Sequence, residues 1–263
     1  MNTLLIAFVI FVIAFTMVMT GKGGGNFYVV ALVIAGQSIH NSATMGQLIL
    51  ILTAITGVII FHRNKAVDWK LALVIDPVTD VMAFVGGYFS GYIEGVYLKI
   101  FLAILLVLSG FFMLIKVKNK KINKKNKFGY WKRDYGGYSY VVNLWLTIPI
   151  TALVGLAAGA LGISGGSFKV PLMVLLCGVP MRIAVGTSSA MVAVTALMGF
   201  IGHAAIGHFD PTLAIPLGIA AITGGLLGSK FAIKTKPENL KKIFAYTTLA
   251  ASIFMIINAI TSY

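Results

Sequence analysis

Two glycine clusters and three charged side chains carry the chemistry this sequence could perform. The clusters are Gly21-Lys22-Gly23-Gly24-Gly25-Asn26-Phe27 and Gly162-Ile163-Ser164-Gly165-Gly166-Ser167-Phe168. Each leads into a short apolar run, 27–36 or 167–178. At about 1.5 Å per residue such a run covers about 15–18 Å, roughly half of a bilayer core of about 30 Å. A half-helix starting inside the membrane points its unbonded N–H groups, and a partial positive charge, into the interior, which favours an anion. Exposed backbone is tolerable at that depth only when buried in protein or lining a wet cavity. The candidate ligands are therefore the backbone of Gly23, Gly24, Gly25, Gly165 and Gly166, the amide of Asn26, and the hydroxyls of Ser164 and Ser167. The same glycines also suit close helix packing, which small residues permit in membranes.

The charged candidates are Lys169, Asp76 and Asp80. An intramembrane cation is costly and faces a cavity or a partner, so Lys169 is a candidate to hold an anion, as is Lys22 less strongly. Snorkelling to an interface is the other reading of both lysines. Asp76 and Asp80 are one turn apart on one face of the 69–90 segment, and Asp80 lies about 18 Å in from Asp68. They are candidates for a coupled proton; pairing with Lys22 or Lys169 is the structural alternative. Asp68 and Asp210 begin matching segments and read as N-caps. His62, His203 and His208 fall in connecting loops without metal-ligand spacing, and His40 follows the first short run. Cys177 is the sole cysteine. No metal, cofactor or catalytic set is expected.

The elements that must position these groups follow from composition. Of the 263 residues, 59% are hydrophobic and 11% charged, against roughly 25% charged in a soluble domain. Apolar runs recur at about 2–20, 27–36, 42–61, 69–90, 96–115, 144–161, 167–178, 183–202, 211–233 and 241–260. This pattern excludes a soluble enzyme, a disordered chain and a disulfide scaffold, and predicts a polytopic membrane protein. Met1–Thr3 has no positive side chain, and the first run is longer than a signal-peptide core, so it reads as a spanning helix. The net charge is +14, and nine Lys and Arg lie in Lys116–Arg133. That stretch reads as a cytoplasmic loop facing anionic lipid headgroups, not as a nucleic-acid surface.

The two halves match as repeats. The glycine clusters align at a shift of 141, and Gly36, Asp68, Ala72, Phe89, Leu98 and Lys99 match Gly178, Asp210, Ala214, Phe231, Leu240 and Lys241 at 142. With Lys116–Arg133 inside, counting back puts the basic residues at 62–65 inside too, and those at 234–242 fall inside only if 167–178 crosses, which gives five crossings per half. An odd number inverts the repeats and puts both termini outside. The expected fold is all-α, with repeats 1–115 and 141–263 joined by a basic linker, 116–140. Each repeat has about four full transmembrane helices plus a short broken one, a recurrent secondary-transporter plan.

Gly162-Ile163-Ser164-Gly165-Gly166-Ser167-Phe168-Lys169-Val170-Pro171-Leu172, then Gly178 and Ala184-Val185-Gly186-Thr187-Ser188, resembles the repeat signature of the sulfite exporter TauE/SafE family. The likeness covers essentially the whole chain. The first half departs from it, with Val30 at the proline position and Ser42-Ala43-Thr44-Met45 at the threonine-serine stretch, and Ser164 replaces the middle glycine of the second cluster. The resemblance implies secondary transport of a small sulfur-containing anion, sulfite or an organosulfonate, across the cell membrane. It adds Thr187 and Ser188 to the candidate substrate ligands.

Three other readings bear on the same residues. Gly162-Ile163-Ser164-Gly165 resembles the rhomboid serine motif, which would make Ser164 the nucleophile of an intramembrane hydrolase with His203 as base. The repeat-equivalent position, Gly23, lacks the serine. An ATP-driven pump lacks its phosphate-binding loop here. A passive anion channel is not distinguished from a transporter by sequence.

Overall fold

The computed structural model describes residues 3–37, 39–89, 95–114, 128–160, 166–204 and 211–260. Its helices are α1 Thr3–Thr20, α2 Gly25–Ile34, α3 Ile39–Arg63, α4 Trp69–Phe89, α5 Gly95–Leu114, α6 Leu144–Ala160, α7 Gly166–Pro171, α8 Met181–Ala204, α9 Pro211–Lys234 and α10 Pro237–Ile260. α7 runs on into a π-helical turn, Leu172–Leu176. These bounds follow the apolar runs closely, as expected when hydrophobic length decides where a helix can lie.

The chain is a membrane-integral helical protein. Among the described residues, Thr3–Thr20, Thr44–Arg63 and Thr212–Lys234 are long and apolar enough to span a bilayer, with shorter apolar helices beside them. Large apolar side chains such as Leu4, Leu73, Leu153 and Ile215 face outward and are mostly exposed, as lipid contact requires.

Two buried clusters form the interior. One gathers Val18, Phe61, Leu71, Ile75, Met113, Val185 and Phe244. The other gathers Ile6, Ile10, Met45, Ile49, Val192, Ala196 and Leu217. α1, α3 and α9 run from the second cluster to the first, α8 runs from the first to the second, and α4 and α10 begin at the first. The main packed pairs are α1 with α9, α4 with α6, α5 with α10 and α3 with α8. α3 also packs heavily on α9, and α4 only lightly on α8.

The all-α expectation needs one correction. Inside the segment read as a linker, β1 Tyr130–Tyr135 and β2 Tyr138–Asn143 form an antiparallel hairpin, with Tyr135 opposite Tyr138. Gly136 and Gly137 make the two-residue turn at φ 60° and 81°, the left-handed values a tight hairpin demands. β2 crosses the expected boundary at 140/141, so the second set of helices starts at Leu144. Alternate residues Tyr140 and Val142 are buried in the first cluster, which fixes the register against the helices.

Candidate functional site

The two glycine clusters meet. A Cβ on Gly166 would lie 2.7 Å from the Lys22 carbonyl oxygen and 2.8 Å from that of Gly21, so only glycine allows this approach. Gly21 itself has φ 68° and sits against the Val185 carbonyl of α8, and Ser188 Oγ donates to the Gly21 carbonyl at 2.7 Å. Gly23 and Gly24 are buried, with φ 80° and 75°. Gly24 is the cap of α2 and has no side chain with which to bond its first N–H groups. α7 begins at Gly166, and Ser109 of α5 donates to the Ser167 carbonyl at 3.0 Å. Close packing is thus one role these glycines perform. Ser164 and Gly165 lie outside the described residues, as does the side chain of Asn26.

The charged candidates come together beside α7. Lys169 is 2% exposed, and its ammonium donates to Asp76 Oδ1 in an ion pair. The lysine belongs to the second half of the chain and the aspartate to the first. A buried pair of this kind is kept only where each charge has its partner, because one left alone costs several kcal/mol. Asp80, one turn further along α4, is half-buried, and its Oδ1 accepts from Thr195 of α8 at 3.2 Å. Pro77, between the two aspartates, leaves α4 without one backbone donor there.

Lys22 is held elsewhere. Its Nζ donates to the Phe244 carbonyl at 2.8 Å and to Thr247 Oγ1 at 2.6 Å, and lies 4.2 Å from the centre of the Phe244 ring. Of the threonine-serine stretch, Ser188 braces the first glycine cluster. Thr187 instead accepts from the Asp68 backbone N–H at 3.0 Å, at the hairpin end.

Asp68 is the N-cap expected, with the N–H groups of Lys70 and Leu71 each 3.1 Å from its Oδ1. It is also a junction the sequence reading missed. Arg133 of β1 forms a two-point salt bridge with its carboxylate, and the Tyr140 hydroxyl of β2 donates to it. Burial pushes the Asp68 carboxyl up, but the hydrogen bonds from Arg133, Tyr140 and Leu71 outweigh it and hold the carboxyl below the ordinary range. The hairpin turn also touches the α3–α4 connection and α8: a Cβ on Gly136 would lie 2.7 Å from the Lys65 carbonyl oxygen and 3.4 Å from Ile183. His62 accepts from the Trp69 indole at 3.1 Å. Asp210 and His208 lie outside the described residues, as do the side chains of His40 and His203. Among the described residues no group of His, Cys, Asp and Glu is arranged to hold a metal.

The sulfite exporter TauE/SafE family profile matches residues 6–255. The chain belongs to the sulfite exporter TauE/SafE family. It is similar to probable membrane transporter protein YunE of Bacillus subtilis (strain 168), 27% identical over 234 residues, or 85% of this chain and 86% of that one. It is similar also to probable membrane transporter protein YdhB of the same organism, 23% identical over 255 residues, or 96% of this chain and 100% of that one. A probable membrane transporter protein of Haemophilus influenzae is 24% identical over 260 residues, covering 89% and 90%. No solved structure gives a significant match. Membership of the TauE/SafE family and these relatives support a membrane transporter over an enzyme.

Proposed function

We propose that this chain is a secondary transporter of a small anion, sulfite or an organosulfonate, working by alternating access in the cell membrane. One observation carries the reading: a buried ammonium, Lys169, contributed by one half of the chain and neutralised by a carboxylate, Asp76, contributed by the other. A charge that far from water serves packing poorly, and serves an anion on its way through the membrane well. The family name supplies the sulfur chemistry.

In this reading the substrate lies where the glycine clusters converge. Gly23, Gly24, Gly25, Asn26, Ser164, Gly165, Gly166 and Ser167 offer N–H, amide and hydroxyl donors, Lys169 supplies charge, and Thr187 and Ser188 shape the α8 side. Asp76 or Asp80 carries the coupled proton. The opposed directions of α3 and α8, repeat equivalents running oppositely between the two core clusters, support inverted repeats. Lys116–Arg133 and the hairpin then lie on the cytoplasmic side by the charge-bias rule, the basic loop against anionic headgroups.

The test is uptake of sulfite, sulfoacetate, sulfate and chloride by the full chain in liposomes, with and without a pH gradient. Saturable counterflow of a sulfur oxyanion, accelerated by the gradient, is expected. Non-saturable flux of all four would identify a passive channel instead. No flux of any would remove the transport reading.

A further inference from the structure

Lys169 poses a problem for a substrate. Its ammonium is buried and already bonded to Asp76, so an arriving anion finds a fixed anion in its place. Lys169 has three N–H donors but one positive charge, and that charge neutralises only one anion at a time. With Asp76 and Asp80 ionised, the three side chains carry a formal charge of one negative unit. A monovalent anion added to them makes two, which the low-dielectric interior resists. An anion that arrives as Asp76 takes up a proton returns the site to one negative unit, its resting value.

We propose that Asp76 is an internal stand-in for the transported anion, holding Lys169 between substrates and releasing it only by accepting a proton, so that one proton crosses with each anion. The inference rests on the transport reading above and deepens it by naming the carboxylate that takes the proton. No covalent bond to substrate forms. The proton adds to an Asp76 carboxylate oxygen from the side the anion enters, and the anion takes the Nζ hydrogen bond that Asp76 gives up. On release the anion leaves, the carboxyl loses its proton to the far side, and the ion pair closes again.

The surroundings of Asp76 favour it over Asp80 for this exchange. Lys169 of α7 faces it directly, and Asp80 is its ionisable neighbour on α4. α6, packed along α4, has no ionisable residue between Leu144 and Ala160. α8 has Arg182 near its start and His203 near its end, with only Ser, Thr and apolar residues or glycine between. Asp80 has a partner of its own in Thr195. Asp76 is thus the acid whose ionisation Lys169 and a competing anion decide.

The experiment uses the purified full chain and methanesulfonate, whose charge is constant from mildly acidic to mildly alkaline pH. In weakly buffered detergent solution, methanesulfonate should draw one proton per bound anion from the medium. Its affinity should fall about tenfold per pH unit on the alkaline side, the slope of a single linked proton. Asp76→Asn should flatten that slope, abolish proton uptake and leave counterflow without gradient-driven accumulation. Lys169→Gln should lose binding, and Asp76→Asn combined with Lys169→Gln, which leaves the net charge of the three positions unchanged, should fold and still not bind. Binding by the wild type with no proton taken up overturns the proposal without any variant, as does an unchanged pH slope in Asp76→Asn. Counterflow of sulfite, sulfoacetate or methanesulfonate without a linked proton removes only the stand-in role. Counterflow of none removes the transport reading, and the stand-in role with it.

Discussion

Arg133 of β1 grips Asp68 at the start of α4, with Nε donating to Oδ2 at 3.0 Å and Nη2 to Oδ1 at 2.5 Å. The carboxylate is 1% exposed and caps α4 at the same time, so one side chain joins the hairpin to the helices. Asp68→Ala removes the cap, the fork and the Tyr140 bond together and leaves a cation without its partner. We expect a loss of about 3 kcal/mol, read from thermal or denaturant unfolding in detergent. Arg133→Gln should cost less, because Tyr140 and the backbone donors still serve the carboxylate.

The same junction sets an acid limit. The folded Asp68 carboxyl titrates below its unfolded value of about 3.9. Its stabilisation is therefore complete above the unfolded value and is lost as pH falls through the folded one. Hairpin docking, followed by proteolysis within 128–143, should weaken on acidification in the wild type. Asp68→Asn should be weaker at neutral pH and show less acid dependence.

Gly166→Ala puts a methyl group 2.7 Å from a backbone oxygen that only a main-chain shift can move. A cost of about 1–3 kcal/mol is expected, with transport lost in proportion to any displacement of α7. Gly218→Ala is the control, since its nearest neighbour is the Leu52 side-chain tip at 3.2 Å, and it should change the melting temperature little.

The two buried lysines should behave differently. Lys22 is engaged by α10, so Lys22→Met should alter anion affinity by less than about 0.5 kcal/mol, whatever it does to stability. Asp80→Asn should spare both exchange and gradient-driven flux, because Asp76 carries the coupled proton. Isotope counterflow and pH-driven uptake measured on the same vesicles separate the two.

Cys177 is 2% exposed and bonded to Thr147 at 3.3 Å, so a maleimide should label it slowly in the folded protein and quickly after denaturation. Faster labelling in the presence of substrate would report movement of the segment after α7.

Much of this architecture could be read from the chain, because hydrophobic run length is decided locally. The run read as 183–202 became Met181–Ala204, and 27–36 became Gly25–Ile34. The hairpin was missed because its neighbours, the lysines of 116–127, dominate the segment by charge. Its signal was nonetheless present: two six-residue stretches rich in aromatic and β-branched residues flank Gly136-Gly137. Asp76 and Lys169 were each visible as candidates, and their pairing was one of the alternatives. They are 93 residues apart, and no local pattern could choose Lys169 over Lys22 as the partner. Asp68 was legible as a cap because capping is local; its bonds to Arg133 and Tyr140 depend on how the hairpin folds back.

The hairpin is the one sheet among the described residues. It ties Asp68, the Lys65 backbone and the start of α8 into one knot. Any movement that parts the start of α4 from the start of α8 must break the Asp68 bonds to Arg133 or to Thr187. One carboxylate thereby makes hairpin docking and helix movement at this end a single event.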